Sequence, residues 1–111
     1  MIGATEPITV TISHRLGRDE AKRRIDSGLG TIRAEIAPYV RNLDYHWESD
    51  YTLALHASAM MQTITGRIEI YEEFVKIELA LPALLHLIAK TISGRIEKTA
   101  AALLEAPKGK A

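Results

Sequence analysis

The stretch 64-ITGRIEIYEEFVKIELAL-81 decides the fold. It reads as two antiparallel strands joined by a tight turn at Glu72-Glu73. With Tyr71 set opposite Phe74, Ile70 faces Val75, Ile68 faces Ile77 and Gly66 faces Leu79, all on one side. On the other side Glu69 faces Lys76 and Arg67 faces Glu78. One register thus yields an apolar face and a polar face with two opposite-charge pairs, which is how register is specified in a half-buried sheet. A slip of one residue would set Glu against Ile.

Working outward, residues 1–7 read as a flexible arm, and 8-ITVTIS-13 alternates strictly, with Ile8, Val10 and Ile12 on the core side. His14 to Gly17 connect to a helix expected over 18–40, whose first turn carries Asp19 and Glu20, favoured there by the helix dipole. Ala21, Ile25, Leu29, Ile32, Ile36 and Val40 form its apolar stripe. Gly28 and Gly30 within it imply close packing or a bend, and Pro38 an end or kink. Two short strands follow, with Trp47 expected opposite Tyr51, Tyr45 opposite Leu53 and His46 opposite Thr52. Residues 57–62, ASAMMQ, read as a loop. A final helix over 83–104 starts after Pro82, and residues 105–111 have the composition of a disordered tail.

The order β-α-β-β-β-β-α predicts an α+β two-layer sandwich. Two helices, each with one apolar stripe, cover one face of a mostly antiparallel sheet, and the other face meets water. At 111 residues this is one domain with a single core, spanning 8–104. Fourteen basic residues balance fourteen acidic ones, which argues against nucleic acid as a partner and does little to oppose self-association. There is no Cys, which removes disulfides and thiolate chemistry. The N-terminal residues lack a signal-peptide pattern, and no stretch approaches the ~20 apolar residues of a membrane span. The expected location is cytoplasmic.

No residue cluster reads as an active site, and no motif calls for a cofactor. His46, Glu48 and His56 share the polar sheet face, but in the expected register the histidines lie about 13 Å apart along the strand, too far for one metal ion. Arg15, Arg18, Lys22, Arg23 and Arg24 could bind an anion at a helix N-terminus, although such runs are usually a solvated face. His86 and Lys90, at i and i+4, make no catalytic pair. The segment 83-ALLHLIA-89 is apolar nearly all round, more than one sheet face can cover. With Met60 and Met61 it suggests an interaction surface of Leu84, Leu87 and Ile88, for a second copy or a hydrophobic partner. An alternative is a ligand cavity between helices and sheet, lined by Tyr45, Trp47 and Tyr51 with Ile88, for an acyl or other apolar group.

Several local features together resemble a small bacterial family, the polyhydroxyalkanoic acid system proteins. They are His14-Arg15 with Leu16-Gly17 ahead of an Ala21-containing helix, the segment 45-YHWE-48, Gly66-Arg67-Ile68 opening the hairpin, and 75-VKIEL-79 running into Leu81 and an apolar helix. Their order covers residues 8 to 104. The resemblance implies an accessory protein of polyester storage, binding the granule surface or a granule protein. Taken with the missing active site and the apolar 83–89 segment, it gives the expectation of a non-enzymatic protein that forms a homodimer or larger assembly. The resemblance brings no catalytic residues with it.

Overall fold

The structure is a computed structural model that describes residues 5–59, 61–82 and 86–105, with side chains for 7–59, 61–81 and 88–105. Its elements in chain order are β1 (Thr5–Ser13), α1 (Arg18–Ser27), α2 (Leu29–Ile36), β2 (Arg41–Ser49), β3 (Thr52–Ala59), β4 (Gln62–Ile70), β5 (Phe74–Pro82) and α3 (His86–Glu105). The five strands form one antiparallel sheet in the order β1-β5-β4-β3-β2. With its three helices, the chain is an α+β fold.

The β4–β5 hairpin has the register its charges dictate. Ile70 faces Val75, Glu69 faces Lys76, Ile68 faces Ile77 and Arg67 faces Glu78. Tyr71 N–H donates to Phe74 O at 2.8 Å, closing a two-residue turn at 72–73. Its apolar side is the centre of the core. Ile68, Ile70, Val75 and Ile77 are almost fully buried there with Leu53, Ile64 and Leu81, against Ala21, Ile25 and Leu29 of the first helices and Ile92, Ile96 and Ala100 of α3.

Four expectations need correction. Residues 5–7 are not an arm, because Thr5, Glu6 and Pro7 extend β1 along Pro82, Leu81 and Ala80. The helix expected over 18–40 is two helices broken at Gly28, and α2 stops at Ile36 before Pro38. A Cβ on Gly28 would lie 2.3 Å from Leu103 Cδ1, so the last helix presses directly onto the break. The segment 57–62 is mostly strand: Ala57 and Ala59 turn into the core, and Ala59 pairs with Gln62 across a two-residue loop. In β2–β3, Trp47 faces Leu53, Tyr45 faces Leu55 and His46 faces Ala54, two residues from the expected pairing. The cause is a register shift between Trp47 and Ser49, a bulge that absorbs one residue before the turn. The bulge keeps Tyr45 and Trp47 on the core side and leaves Tyr51 in the turn, where its carbonyl accepts from Ile70 N–H at 2.9 Å.

The expected arm at 1–4 and the expected tail at 106–111 lie outside the described residues. So does the start of the last helix at 83–85.

Candidate functional site: an apolar cavity and an exposed hairpin tip

Edge strand β2 is fastened to the first helices by its aromatic residues. Trp47 Nε1–H donates to Asp26 Oδ1 at 2.9 Å, and Lys22 Nζ sits 4.8 Å from the Trp47 ring centre. The Tyr51 hydroxyl donates to Asp19 Oδ1, and the Arg18 guanidinium lies 4.1 Å over its ring. That hydrogen bond to a carboxylate raises the Tyr51 pKa above its ordinary value. Arg33 lies 5.1 Å from the Tyr45 ring and donates from Nη2 to Leu43 O at 3.1 Å. Aromatic faces attract such cations, and the long side chains cover the rings. The three aromatics expected to line a ligand cavity therefore brace an edge strand.

The same contacts disperse the basic cluster. Arg18 Nε–H also donates to Ile70 O at 3.0 Å. Arg23 and Arg24 both pair with Glu20, at 2.6 and 2.8 Å, and together their hydrogen bonds hold its carboxyl at a pKa of about 2. Buried Arg24 also reaches Leu103 O at 3.3 Å, tying α1 to the last turn of α3. Arg15 is exposed, and the group as a whole is not gathered around a common centre.

A cavity does lie between sheet and helices, beside the position expected from the aromatics. Ile32, Ile36 and Val40 cover it, Leu55, Ile64 and Leu79 form its floor, and Ile92 and Ile96 close its side. Its volume is about 30 Å³ and its accessible wall is aliphatic, with His56 and Thr65 at its border. That is room for a water-sized molecule, whereas ligand pockets run to roughly 300–1,000 Å³. The helix over it is held to its neighbours by exposed contacts: Arg33 to Leu43 O, and Arg95 Nη1 to Glu35 Oε1 at 3.2 Å. Aliphatic stripe residues make this wall, and the sequence marked them only as core. Gly66 was the usable signal, because a Cβ there would lie 2.8 Å from Leu79 Cδ2 and push the floor apart.

On the opposite sheet face, His46, Glu48, His56, Arg67 and Glu78 rim a shallow polar depression floored by Ala54, Gly66 and Ala80. In the observed register His56 pairs with Asp44, so the two histidines are two positions apart along the strand rather than four. Glu48 is engaged by Arg67 at 3.2 Å. Among the described residues no group of three His, Asp or Glu is placed to hold a metal ion.

The last candidate is the β3–β4 hairpin tip. Met61 is 99% exposed, and its φ is 65°, the left-handed region that a bulky side chain rarely adopts. Ile88 is half-buried against the core. Met60 and Leu84, and the side chains of His86 and Leu87, lie outside the described residues. Among the described residues no helix is long and apolar enough to cross a membrane.

The fold has solved counterparts. The di-domain aromatase/cyclase BexL of the BE-7585A biosynthetic pathway superposes with a TM-score of 0.57 at 13% identity, covering 93% of this chain. The chain spans 51% of that protein's length. Truncated norcoclaurine synthase from Thalictrum flavum superposes with a TM-score of 0.54 at 7% identity, covering 97% of this chain and 98% of the enzyme. At these identities the likeness is one of fold alone, an α+β architecture. No curated protein matches the sequence. Residues 8–104 match the model of a family described as "Putative polyhydroxyalkanoic acid system protein". That match runs from the second half of β1 to the last turn of α3, and by it the chain belongs to the polyhydroxyalkanoic acid system protein family.

Proposed function

We propose that this protein is a non-enzymatic accessory protein of polyhydroxyalkanoate storage that contacts the granule surface through the β3–β4 hairpin tip. The observation that carries this reading is Met61: an apolar side chain fully in water, on a backbone conformation that costs a non-glycine residue about 1–2 kcal/mol. A two-residue hairpin loop ordinarily takes Asn-Gly or Asp-Gly, which adopt that conformation without strain. Here the described loop residue is Met61, so the tip gives up local stability and solubility together. An apolar polyester or lipid surface would bury that side chain. Family membership supports the setting. The test is co-sedimentation of the purified protein with isolated polyester granules, with Met61→Asn alongside. Loss of binding in a folded variant is the expected result, and equal binding would overturn the proposal.

A second reading is the binding of an acyl chain between α2 and the sheet, favoured by the aliphatic lining. It requires α2 to move, because the cavity is an order of magnitude too small. A fluorescent fatty-acyl probe would be displaced or excluded by Ile32→Trp if this reading holds. An unaltered probe signal would remove it.

A further inference from the structure

The two edges of the sheet are treated differently. At the β2 edge, exposed Arg41, Asp44 and Glu48 and two register shifts interrupt the strand, and its inward aromatics are covered by Lys22, Arg18 and Arg33. These are ordinary devices against edge-to-edge pairing. The β1 edge has none of them between Ile8 and Ser13. Its pairing with β5 runs without a register shift, and 7-PITVTIS-13 carries no charge. Its inward residues Ile8, Val10 and Ile12 are only partly buried, whereas Ile68 and Ile77, two strands further in or next to them, are closed off from water. Among the described residues the aliphatic layer is unfinished on this side.

The hydrogen-bond phase of β1 follows from its neighbours. His14 N–H donates to Glu73 O at 2.9 Å, so the even-numbered residues of β1 turn their backbone groups toward β5. Thr9, Thr11 and Ser13 therefore turn their N–H and C=O outward, along with Pro7, which has no N–H. An antiparallel partner centred on Thr11 uses the three residues with both groups and leaves Pro7 outside the ladder. Centring on Thr9 or Val10 would bring Pro7 into it and waste a bond.

We infer that the β1 edge is a homodimerisation surface, on which a second copy pairs its own β1 antiparallel about a two-fold axis at Thr11. Thr11 faces its equivalent and Thr9 faces Ser13 of the second copy, giving about six backbone hydrogen bonds, two for each facing pair. On the inner side Val10 meets Ile12 of the second copy, which completes the aliphatic layer. The absence of charge along the strand means that self-pairing sets no like charges opposite each other. A strand of another protein could add to the same edge, and the experiment separates that case.

The test is sedimentation of the full chain together with thiol trapping. The wild type is expected at twice the 12.3 kDa mass of one chain. Thr11→Pro, which removes an outward N–H while leaving the β1–β5 bonds intact, is expected at the single-chain mass with unchanged far-ultraviolet circular dichroism. The chain has no cysteine, so an introduced one is the sole thiol. Thr11→Cys places two thiols on Cα atoms about 5.5 Å apart, within disulfide range, and is expected to cross-link under mild oxidation. Thr9→Cys places them about 13 Å apart and is expected not to. A wild type of single-chain mass at every concentration overturns the inference. So does a dimer that survives Thr11→Pro, or one in which Thr9→Cys cross-links as readily as Thr11→Cys. If Thr11→Pro fails to fold, the two cysteine variants decide. None of these readouts involves granules, so the outcome is independent of the granule proposal.

Discussion

Replacing Met61 by Asn separates what the hairpin tip does for folding from what it does for binding. Met61 is 99% exposed, so the substitution removes no packing. Its φ of 65° costs a residue with an ordinary side chain about 1–2 kcal/mol, and Asn enters that region far more readily. The variant should gain about 1 kcal/mol, once part of the original cost is kept by Asn. For a domain of this size that raises the melting temperature by roughly 4–8 °C. On a granule surface the balance reverses. A buried Met side chain contributes about 1.5–3 kcal/mol, so its loss lowers partitioning by roughly 10- to 100-fold. A thermal melt and a granule co-sedimentation series on the same preparation measure both. Met61→Leu is the control, because it keeps both the apolar group and the backbone cost and should change neither reading much. A variant that is more stable and binds less fits the proposal. Unchanged partitioning, or a fall in stability, would refute the reasoning.

Three further outcomes follow from the packing. Gly28→Ala places a Cβ 2.3 Å from Leu103 Cδ1 and should cost about 1–3 kcal/mol in a urea titration, with part of the loss recovered by Leu103→Val. Glu20→Gln should destabilise the protein at neutral pH. Arginine hydrogen bonds lower the folded pKa from 4.5 to about 2, so the wild-type advantage is complete above pH 4.5 and is lost as pH falls through about 2. Unfolding curves of the two proteins should therefore converge in acid, and a gap that persists at pH 2 would show that the carboxylate charge is not its source. Ile68→Ala, at a fully buried site, should cost about 2–5 kcal/mol, whereas Ile12→Ala on the open edge of the sheet should cost much less in the monomer. Equal costs would mean that the β1 edge is already covered.

The parts of the fold legible in the sequence were those where charge and apolarity agree. The β4–β5 register could be read because Glu69–Lys76 and Arg67–Glu78 leave one alignment without a buried carboxylate. The β2–β3 register could not. A bulge near Glu48 absorbs a residue there, and alternation of Tyr45, Trp47 and Leu53 is the same on either side of a two-residue slip. The 59–62 turn was hidden because small Ala57 and Ala59 carry little strand signal, and Met60-Met61 lacks the composition of a tight loop. Gly28 announced the helix break, but its cause, the press of Leu103, is a contact between opposite ends of the chain. Met61 was legible as a loop methionine on an interaction surface, and its full exposure and left-handed backbone were not. The cavity was expected around aromatic residues. Those rings carry polar edges and attract cations, so they form a half-buried brace with the first helices, and mainly aliphatic residues line the hollow.

The adjacency of β1 and β5 in the sheet also sets an order of events during synthesis. The first strand finds its partner only at residues 74–82, and Arg24 meets Leu103 across 79 positions of sequence. While the ribosome makes the intervening helices and hairpins, the uncharged 7-PITVTIS-13 segment waits with both of its edges free. Such long-range closure slows folding and leaves a β-forming segment open to wrong partners on the way. On crowded polysomes the same segment of the next nascent chain can take the edge that belongs to β5 instead of the outer edge where a second copy is inferred to pair.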